Sequence, residues 1–107
     1  MKNIKICASL ICGNPIDLNS DLLELKKSNT DLIHFDVMDG QFVPRYGLYP
    51  EILKSVKENF NFEIDVHMMT YDAEDYILDF KNEGADYYNV HVESTNHLSR
   101  VIKKISD

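Results

Sequence analysis

The chain alternates four times between a short strand-like segment and an amphipathic segment. The short segments have the apolar runs or alternation typical of β-strands, and they are residues 3–9, 31–37, 62–69 and 86–93. The amphipathic segments have apolar residues at helical spacing, and they span residues 17–27, 50–59, 72–84 and 95–105. Because parallel strands are joined by right-handed crossovers, repeated βα units predict a parallel sheet.

The length of the repeating unit narrows the choice of fold. Each βα unit has about 25–30 residues, which is typical of a (β/α)8 barrel, or TIM barrel, of about 250 residues. This chain has 107 residues. We therefore predict an α/β fold of the TIM-barrel class in which four βα units form a half-barrel and residues 1–107 form a single domain.

Local signals predict where the elements begin and end. Pro50 suits the first turn of the second helix, Asp72 suits the N-cap of the third, and Gly84 suits its end. Thr95 or Asn96 is predicted to cap the last helix, whose buried residues are predicted to be Leu98, Val101, Ile102 and Ile105. In the first strand, one face is predicted to carry Ile4, Ile6 and Ala8.

The composition favours a cytoplasmic protein with a small-molecule substrate. The formal net charge of −7 argues against nucleic acid and anionic membranes as partners. There is no apolar run of about 18 residues to form a transmembrane helix, and the first residues do not resemble a secretion signal. Cys7 and Cys12 are predicted to be free thiols in a reducing compartment.

Polar residues recur at the C-terminal end of every predicted strand. They are Ser9, His34, Asp36, His67, His91 and Glu93. Taken alone, the His34–Asp36 pair favours a buried polar pair satisfied by hydrogen bonds. The recurrence favours a functional site instead, since the chemistry of TIM barrels lies at this end of the strands.

Three of these residues form a suitable ligand set for a metal ion. His34, Asp36 and His67 offer two imidazoles and a carboxylate, which suit divalent zinc, iron, manganese or cobalt. Such an ion can stabilise the oxyanion of an enediolate, and Asp36 could remove a proton beside the carbonyl. Asp65 lies on the same strand face as His67, where it either orients the site or pairs deeper in the barrel.

The segment between the second strand and the second helix is long for a compact domain. It carries Phe42, Tyr46 and Tyr49. Loops of this length are often functional, but these aromatic residues are explained more simply as a packed flap.

Several motifs resemble the ribulose-phosphate 3-epimerase family. The most specific is H-x-D-x-M-D-G-x-F-V-P, which runs from His34 to Pro44. The other matching segments cover the whole chain in the family's order, and they are 8–10, 65–69, 84–86 and 90–93. Residues 9–12 and 45–50 look more like the branch that acts on ketohexose 6-phosphates such as allulose 6-phosphate.

The resemblance implies that the chain is the N-terminal half of a TIM barrel and an isomerase of carbohydrate metabolism, including the pentose phosphate pathway. Such an enzyme inverts C3 of a ketose phosphate by metal-assisted proton transfer through an enediolate. The pairs are ribulose 5-phosphate with xylulose 5-phosphate, or allulose 6-phosphate with fructose 6-phosphate. By motif, Asp36 is the first catalytic aspartate and His34, Asp36 and His67 are metal ligands. The residues that contact the substrate would be Ser9, Met38, His67 and Met69.

The resemblance also implies that these four βα units lack part of the active site. The second catalytic aspartate and the phosphate-binding loops should lie in the other half of the barrel. The alternative function is therefore a catalytically incomplete half-barrel that binds metal or assembles with another chain without turnover. Because a half-barrel exposes two sheet edges, we expect association with another copy or with the missing C-terminal half.

Two sequence details bear on the substrate. Residues 12–14 and 44–47 depart from the family's usual Ser-Ala-Asp and Pro-Asn-Ile-Thr, which leaves pentulose and hexulose phosphates both open. Related barrels that decarboxylate or condense ketose phosphates have a lysine two residues after the third-strand aspartate. Here that position is His67, which favours the epimerase.

Overall fold

The computed structural model describes residues 3–107 of the chain. Its strands are β1 (Cys7–Ser9), β2 (Leu32–Met38), β3 (Glu63–Met69) and β4 (Tyr87–Val90). They form one parallel sheet whose spatial order, β1-β2-β3-β4, follows the chain. Consecutive βα units have this arrangement in the wall of a barrel, so the predicted α/β fold and half TIM barrel are confirmed.

Four helices alternate with the strands. They are α1 (Leu18–Lys27), α2 (Pro50–Asn59), α3 (Ile77–Asn82) and α4 (Leu98–Ser106). The carboxylate of Asp17 caps α1 by accepting a hydrogen bond from the backbone N–H of Ser20, and Pro50 begins α2 as predicted. No helix among residues 3–107 is both long enough and apolar enough to cross a bilayer.

The apolar core lies between the helices and one face of the sheet. Alternate residues of β2 and β3 are buried there, and they are Ile33, Phe35, Val37, Ile64, Val66 and Met68. All four helices contribute to the same cluster, through Leu22, Leu53, Val56, Ile77, Phe80 and Val101. The alternation expected for residues 62–69 is therefore present, and the other face of the sheet is left to polar side chains.

The first strand is shorter than predicted. It begins at Cys7, which pairs with Leu32 at the start of β2. Ile4 and Ile6 are 72% and 53% exposed, so the predicted apolar face with Ala8 is wrong before Cys7. Just before β1, the carbonyl of Ile6 accepts hydrogen bonds from the N–H groups of Asp31 and Leu32.

The third helix begins later than its local signal indicated. Asp72 has a φ of 49° and makes no side-chain cap, and its N–H donates to the carbonyl of Ser94. This contact with the segment after β4 holds Asp72 in a turn, so Tyr76 becomes the N-cap of α3. Gly84, with a φ of +100°, follows the end of α3 as predicted.

The fourth unit also differs from the prediction. β4 ends at Val90 instead of residue 93, because Val92–Ser94 form a 3-10 turn. The N-cap of α4 is His97, while Thr95 accepts a hydrogen bond from the N–H of His97. Ile102 is 51% exposed, since it lies one helical position beyond the buried Val101.

Candidate active site

Polar side chains of neighbouring strands meet on the sheet face opposite the core. The register places Asp36 beside His67, and it places His34 between Ser9 and Asp65. Because residues two apart in a strand share a face, these five side chains project to the same side. The structure thus brings together the four strand-end residues that the sequence singled out in the first three units.

Three side-chain atoms of this group converge. The His34 Nε2 and His67 Nδ1 atoms lie 3.0 and 3.1 Å from Asp36 Oδ1, and they are 3.3 Å from each other. The Asp36 side chain is only 10% exposed, compared with 29% for His34. The three residues expected to bind metal therefore present one donor atom each to a common, half-buried point.

Neighbouring groups orient two of these residues. Ser9 Oγ donates to Asp36 Oδ2 over 3.1 Å, which leaves Oδ1 directed at the common point. Asp65 Oδ2 lies 3.1 Å from His34 Nδ1, and its other oxygen accepts a hydrogen bond from Asn89 Nδ2 over 2.6 Å. Of the two roles open to Asp65, the contacts favour orientation of the site.

The proton positions make this point suitable for a cation. A carboxylate only accepts hydrogen bonds, so a neutral His34 carries its proton on Nδ1, which faces Asp65, and a lone pair on Nε2. That lone pair faces Asp36 Oδ1 at 3.0 Å. His67 Nδ1 faces the same oxygen at 3.1 Å, so a divalent ion among these two nitrogens and the carboxylate oxygen would have three suitable ligand atoms.

Cys7 lies near the other side of His34. The Cys7 thiol, His34 and Asp65 form a second group whose potential ligand atoms are within 4.8 Å of one another. Desolvation raises the pKa of the Cys7 thiol, and the carboxylates of Asp65 and Asp36 raise it further. Since only the thiolate is a good ligand, Cys7 is the weaker candidate, and Asp65 already occupies His34 Nδ1.

Comparison with known proteins identifies the family. The model of the ribulose-phosphate 3 epimerase family matches residues 5–107. The chain belongs to this family. The match confirms the resemblance carried by the motif from His34 to Pro44, and it favours the epimerases over the related barrels with a lysine at the position of His67.

The similarity extends to enzymes from distant organisms. The chain is 36% identical over 104 residues to ribulose-phosphate 3-epimerase of Bacillus subtilis, a match that covers 97% of this chain and 48% of that protein. It is 34% identical to the enzyme of Buchnera aphidicola from Schizaphis graminum, covering 100% and 47%. For the chloroplastic enzyme of Arabidopsis thaliana the identity is 33%, with 96% and 37% covered. The chain thus spans about half the length of the first two relatives.

Met38 and Met69, which the resemblance implies are substrate contacts, lie next to the converging group. Met38 and Met69 end their strands as a register pair, and both are partly exposed. Met38 lies two residues beyond Asp36, and Met69 lies two residues beyond His67. Their side chains therefore project from the same face of the sheet as the converging group. The two methionines therefore follow the polar group at the C-terminal end of the sheet, where a substrate of this fold class would bind.

The segment after β2 is tied back to this strand. The N–H of Leu48 donates to the carbonyl of Asp36 over 2.8 Å. A Cβ at Gly47 would lie 2.6 Å from that carbonyl oxygen and 2.7 Å from the N–H nitrogen of Met38. Glycine therefore permits the close approach that holds the backbone between Asp36 and Met38.

The start of the same segment is held by Asp39. Its carboxylate accepts hydrogen bonds from the N–H groups of Gln41, Phe42 and Tyr71 at 2.8, 2.8 and 3.0 Å. The Phe42 ring packs against Tyr71 and His91, with centroids 5.2 and 5.1 Å apart. Phe42 thus agrees with the packed flap expected for this segment, whereas Tyr46 and Tyr49 are 84% and 54% exposed and do not.

We expect the free energy of unfolding to fall with pH in the acid range because of Asp39. Desolvation raises the pKa of this carboxyl, but the three backbone N–H donors lower it more, so the net pKa is below its ordinary value of 3.8. The unfolded chain therefore binds the proton first as pH falls, and the stabilisation is present above 3.8 and lost below it.

Urea unfolding of the natural chain and Asp39→Asn, from about pH 7 to about pH 2.5, measures this contribution. The natural chain should be more stable at neutral pH by at most about 1 kcal/mol, because the carboxylate is solvated. This difference should disappear in acid. A difference that stays constant with pH would show that the charge of Asp39 contributes nothing.

The sequence places His91 and Glu93 among the recurring strand-end residues, but it does not predict which side chains the fourth unit contacts. His91 Nε2 lies 2.7 Å from His67 Nε2, and His91 Nδ1 lies 2.9 Å from Glu93 Oε1. Asn89 had no assigned role, and it holds Asp65. The signal for the first contact was the H-x-E pattern after the fourth strand, while nothing in the sequence distinguished Asn89.

Proposed function

We propose that this chain is the N-terminal half of a ketose-phosphate 3-epimerase and carries the first acid–base group of its active site. The observation that supports this most is the convergence of Asp36 Oδ1 with one nitrogen of His34 and one of His67 at 3.0 and 3.1 Å. The relatives named for ribulose phosphate favour ribulose 5-phosphate and xylulose 5-phosphate over the allulose 6-phosphate pair.

In this proposal Asp36 is the base. Its carboxylate takes the proton from C3 of the ketose phosphate, and the electron pair of the C–H bond moves toward the C2 carbonyl to give an enediolate. Ser9 holds the other carboxylate oxygen of Asp36 by donating a hydrogen bond. Inversion then needs an acid that returns a proton to the opposite face of C3, and we assign that acid to the other half of the barrel.

His34, Asp36 and His67 would hold a divalent ion of zinc, iron, manganese or cobalt. When bound, the ion would supply positive charge beside the C2 and C3 oxygens of the substrate. Asp65 would keep the lone pair of His34 Nε2 available for it. Ser9, Met38, His67 and Met69 would contact the substrate, with the methionines providing an apolar surface for the planar enediolate.

We further propose that residues 1–107 fold as one domain and associate through their sheet edges. Within the described residues, β1 and β4 each have only one neighbouring strand, and unpaired edges of this kind favour strand pairing with another chain. The partner would be a second copy or the C-terminal half. The free, exposed Cys7 and Cys12 are typical of a cytoplasmic protein. A single monomeric species in sedimentation would contradict the association.

Turnover assays with the purified chain distinguish this function from the incomplete half-barrel. Ribulose 5-phosphate and allulose 6-phosphate would each be incubated with the chain and zinc, manganese or cobalt, and xylulose 5-phosphate or fructose 6-phosphate would be measured. Epimerisation restored by adding the C-terminal half of a related epimerase would support the proposal. Failure to epimerise either substrate even with that half present would favour a non-catalytic fragment, for which the open sheet edges are the supporting observation.

A further inference from the structure

His91 forms a bridge between His67 and Glu93 that the proposed reaction does not use. The three side chains form a chain of short contacts, 2.7 Å between the two imidazole Nε2 atoms and 2.9 Å from His91 Nδ1 to Glu93 Oε1. His67 Nδ1, on the other side of that ring, faces Asp36 Oδ1. His91 and Glu93, which are not metal ligands, can therefore determine whether His67 Nε2 carries a proton.

The direction of each hydrogen bond follows from Glu93. Its pKa is held below the ordinary value, first by its own backbone N–H and then by the His91 side chain, so it is a carboxylate that only accepts. A neutral His91 must then carry its proton on Nδ1 and a lone pair on Nε2. Because that lone pair needs a donor at 2.7 Å, a neutral His67 must carry its proton on Nε2.

We propose that His91 and Glu93 form a positioning relay that fixes His67 with its proton on Nε2, so that Nδ1 presents a lone pair to the metal ion. This inference rests on the metal site proposed above. The opposite direction of the bonds would put a lone pair of His91 Nδ1 against the Glu93 carboxylate and a proton on His67 Nδ1, where a metal ligand needs a lone pair.

Ser94 holds the backbone of His91, and Phe42 packs against its ring. Ser94 donates to the carbonyl of His91 from both Oγ and the backbone N–H, at 2.6 and 3.0 Å. The Phe42 ring packs against the imidazole, and Phe42 is itself held by Asp39. The relay thus orients His67 as Asp65 orients His34. The difference is that the imidazole of His91 lies between the carboxylate of Glu93 and the ligand His67.

The first test needs neither metal nor mutation. Ring nitrogen-15 chemical shifts of the metal-free chain, measured by NMR at mildly alkaline pH, report which nitrogen of His67 carries the proton. We expect protonated Nε2 and unprotonated Nδ1 at His67, and the reverse pattern at His91. A proton on Nδ1 of His67 would overturn the relay.

The second test measures zinc and cobalt affinity by titration. His91→Phe keeps a flat ring but removes the acceptor, and it should weaken binding about 10–100-fold, as is usual for groups that orient a ligand. His91→Gln places an oxygen near the position of Nε2 and should restore most of the affinity. The matched control is His97→Phe, at an exposed histidine of the same unit, which should bind as the natural chain does.

The outcomes separate the relay from the metal site. If the natural chain binds zinc or cobalt and His91→Phe binds equally well, the relay is overturned and the metal site stands. If the natural chain binds neither ion, the metal site fails, and the nitrogen shifts still decide the tautomer of His67. If His91→Phe and His91→Gln lose affinity equally while both remain folded by circular dichroism, the hydrogen bond is not the cause and the relay is overturned.

Discussion

Asp36→Asn should lower the rate of C3 proton exchange by about 10²–10⁴-fold, the usual contribution of a general base. The amide oxygen can still accept the hydrogen bond that Ser9 Oγ donates to this side chain, so local packing should be retained. The amide cannot take a proton from carbon, and it also removes the negative charge between His34 and His67. The measurement is incorporation of deuterium at C3 of ribulose 5-phosphate.

The matched control for this substitution is Asp75→Asn. Asp75 is exposed in the turn before α3, away from the converging group, and its substitution should leave exchange unchanged. Exchange that persists at the natural rate in Asp36→Asn would assign the base to another residue. Loss of exchange in both variants would indicate a general effect of reduced negative charge.

Phe35→Ala should destabilise the chain by about 3–5 kcal/mol. Phe35 is fully buried in the middle of β2, and its ring packs edge-on against Phe80 of α3 with centroids 6.2 Å apart. Its removal takes apolar surface out of the core and leaves a cavity between the sheet and the helices. Since single domains have about 5–15 kcal/mol of stability in total, the variant should be largely unfolded or unfold at much lower urea concentration.

Tyr46→Ala is the control for the loss of an aromatic ring. Tyr46 is 84% exposed, so its truncation should change the free energy of unfolding by less than about 0.5 kcal/mol. Urea unfolding followed by circular dichroism compares the two variants. Equal destabilisation by both would mean that the core does not lie where the burial of Phe35 places it.

The fold could be predicted well because its signals are local and repeated. Alternation in β3 identified the core-facing residues Ile64, Val66 and Met68, and Pro50 marked the start of α2. Errors arose where a distant contact decided the backbone. Asp72 is held by the carbonyl of Ser94, more than twenty residues away, and a capping signal contains no information about that contact.

The site could be predicted only in part for a related reason. The i, i+2 spacing placed His34 and Asp36 together, and the recurrence of polar residues at the strand ends added His67. The contact between His67 and His91 depends on the register of β3 with β4, in which His67 pairs with Asn89, and on the turn that follows β4. Neither is determined by the residue pattern of a single strand, so the relay could be seen only in three dimensions.

The most direct test of the central claim is solvent exchange at C3 by this chain alone, in D₂O, with ribulose 5-phosphate and with zinc, manganese or cobalt supplied. We expect incorporation of deuterium at C3 with retained configuration, because Asp36 can remove and return a proton on one face while the second acid is absent. No incorporation, together with no bound metal, would contradict the claim that these four βα units carry a working half of the site.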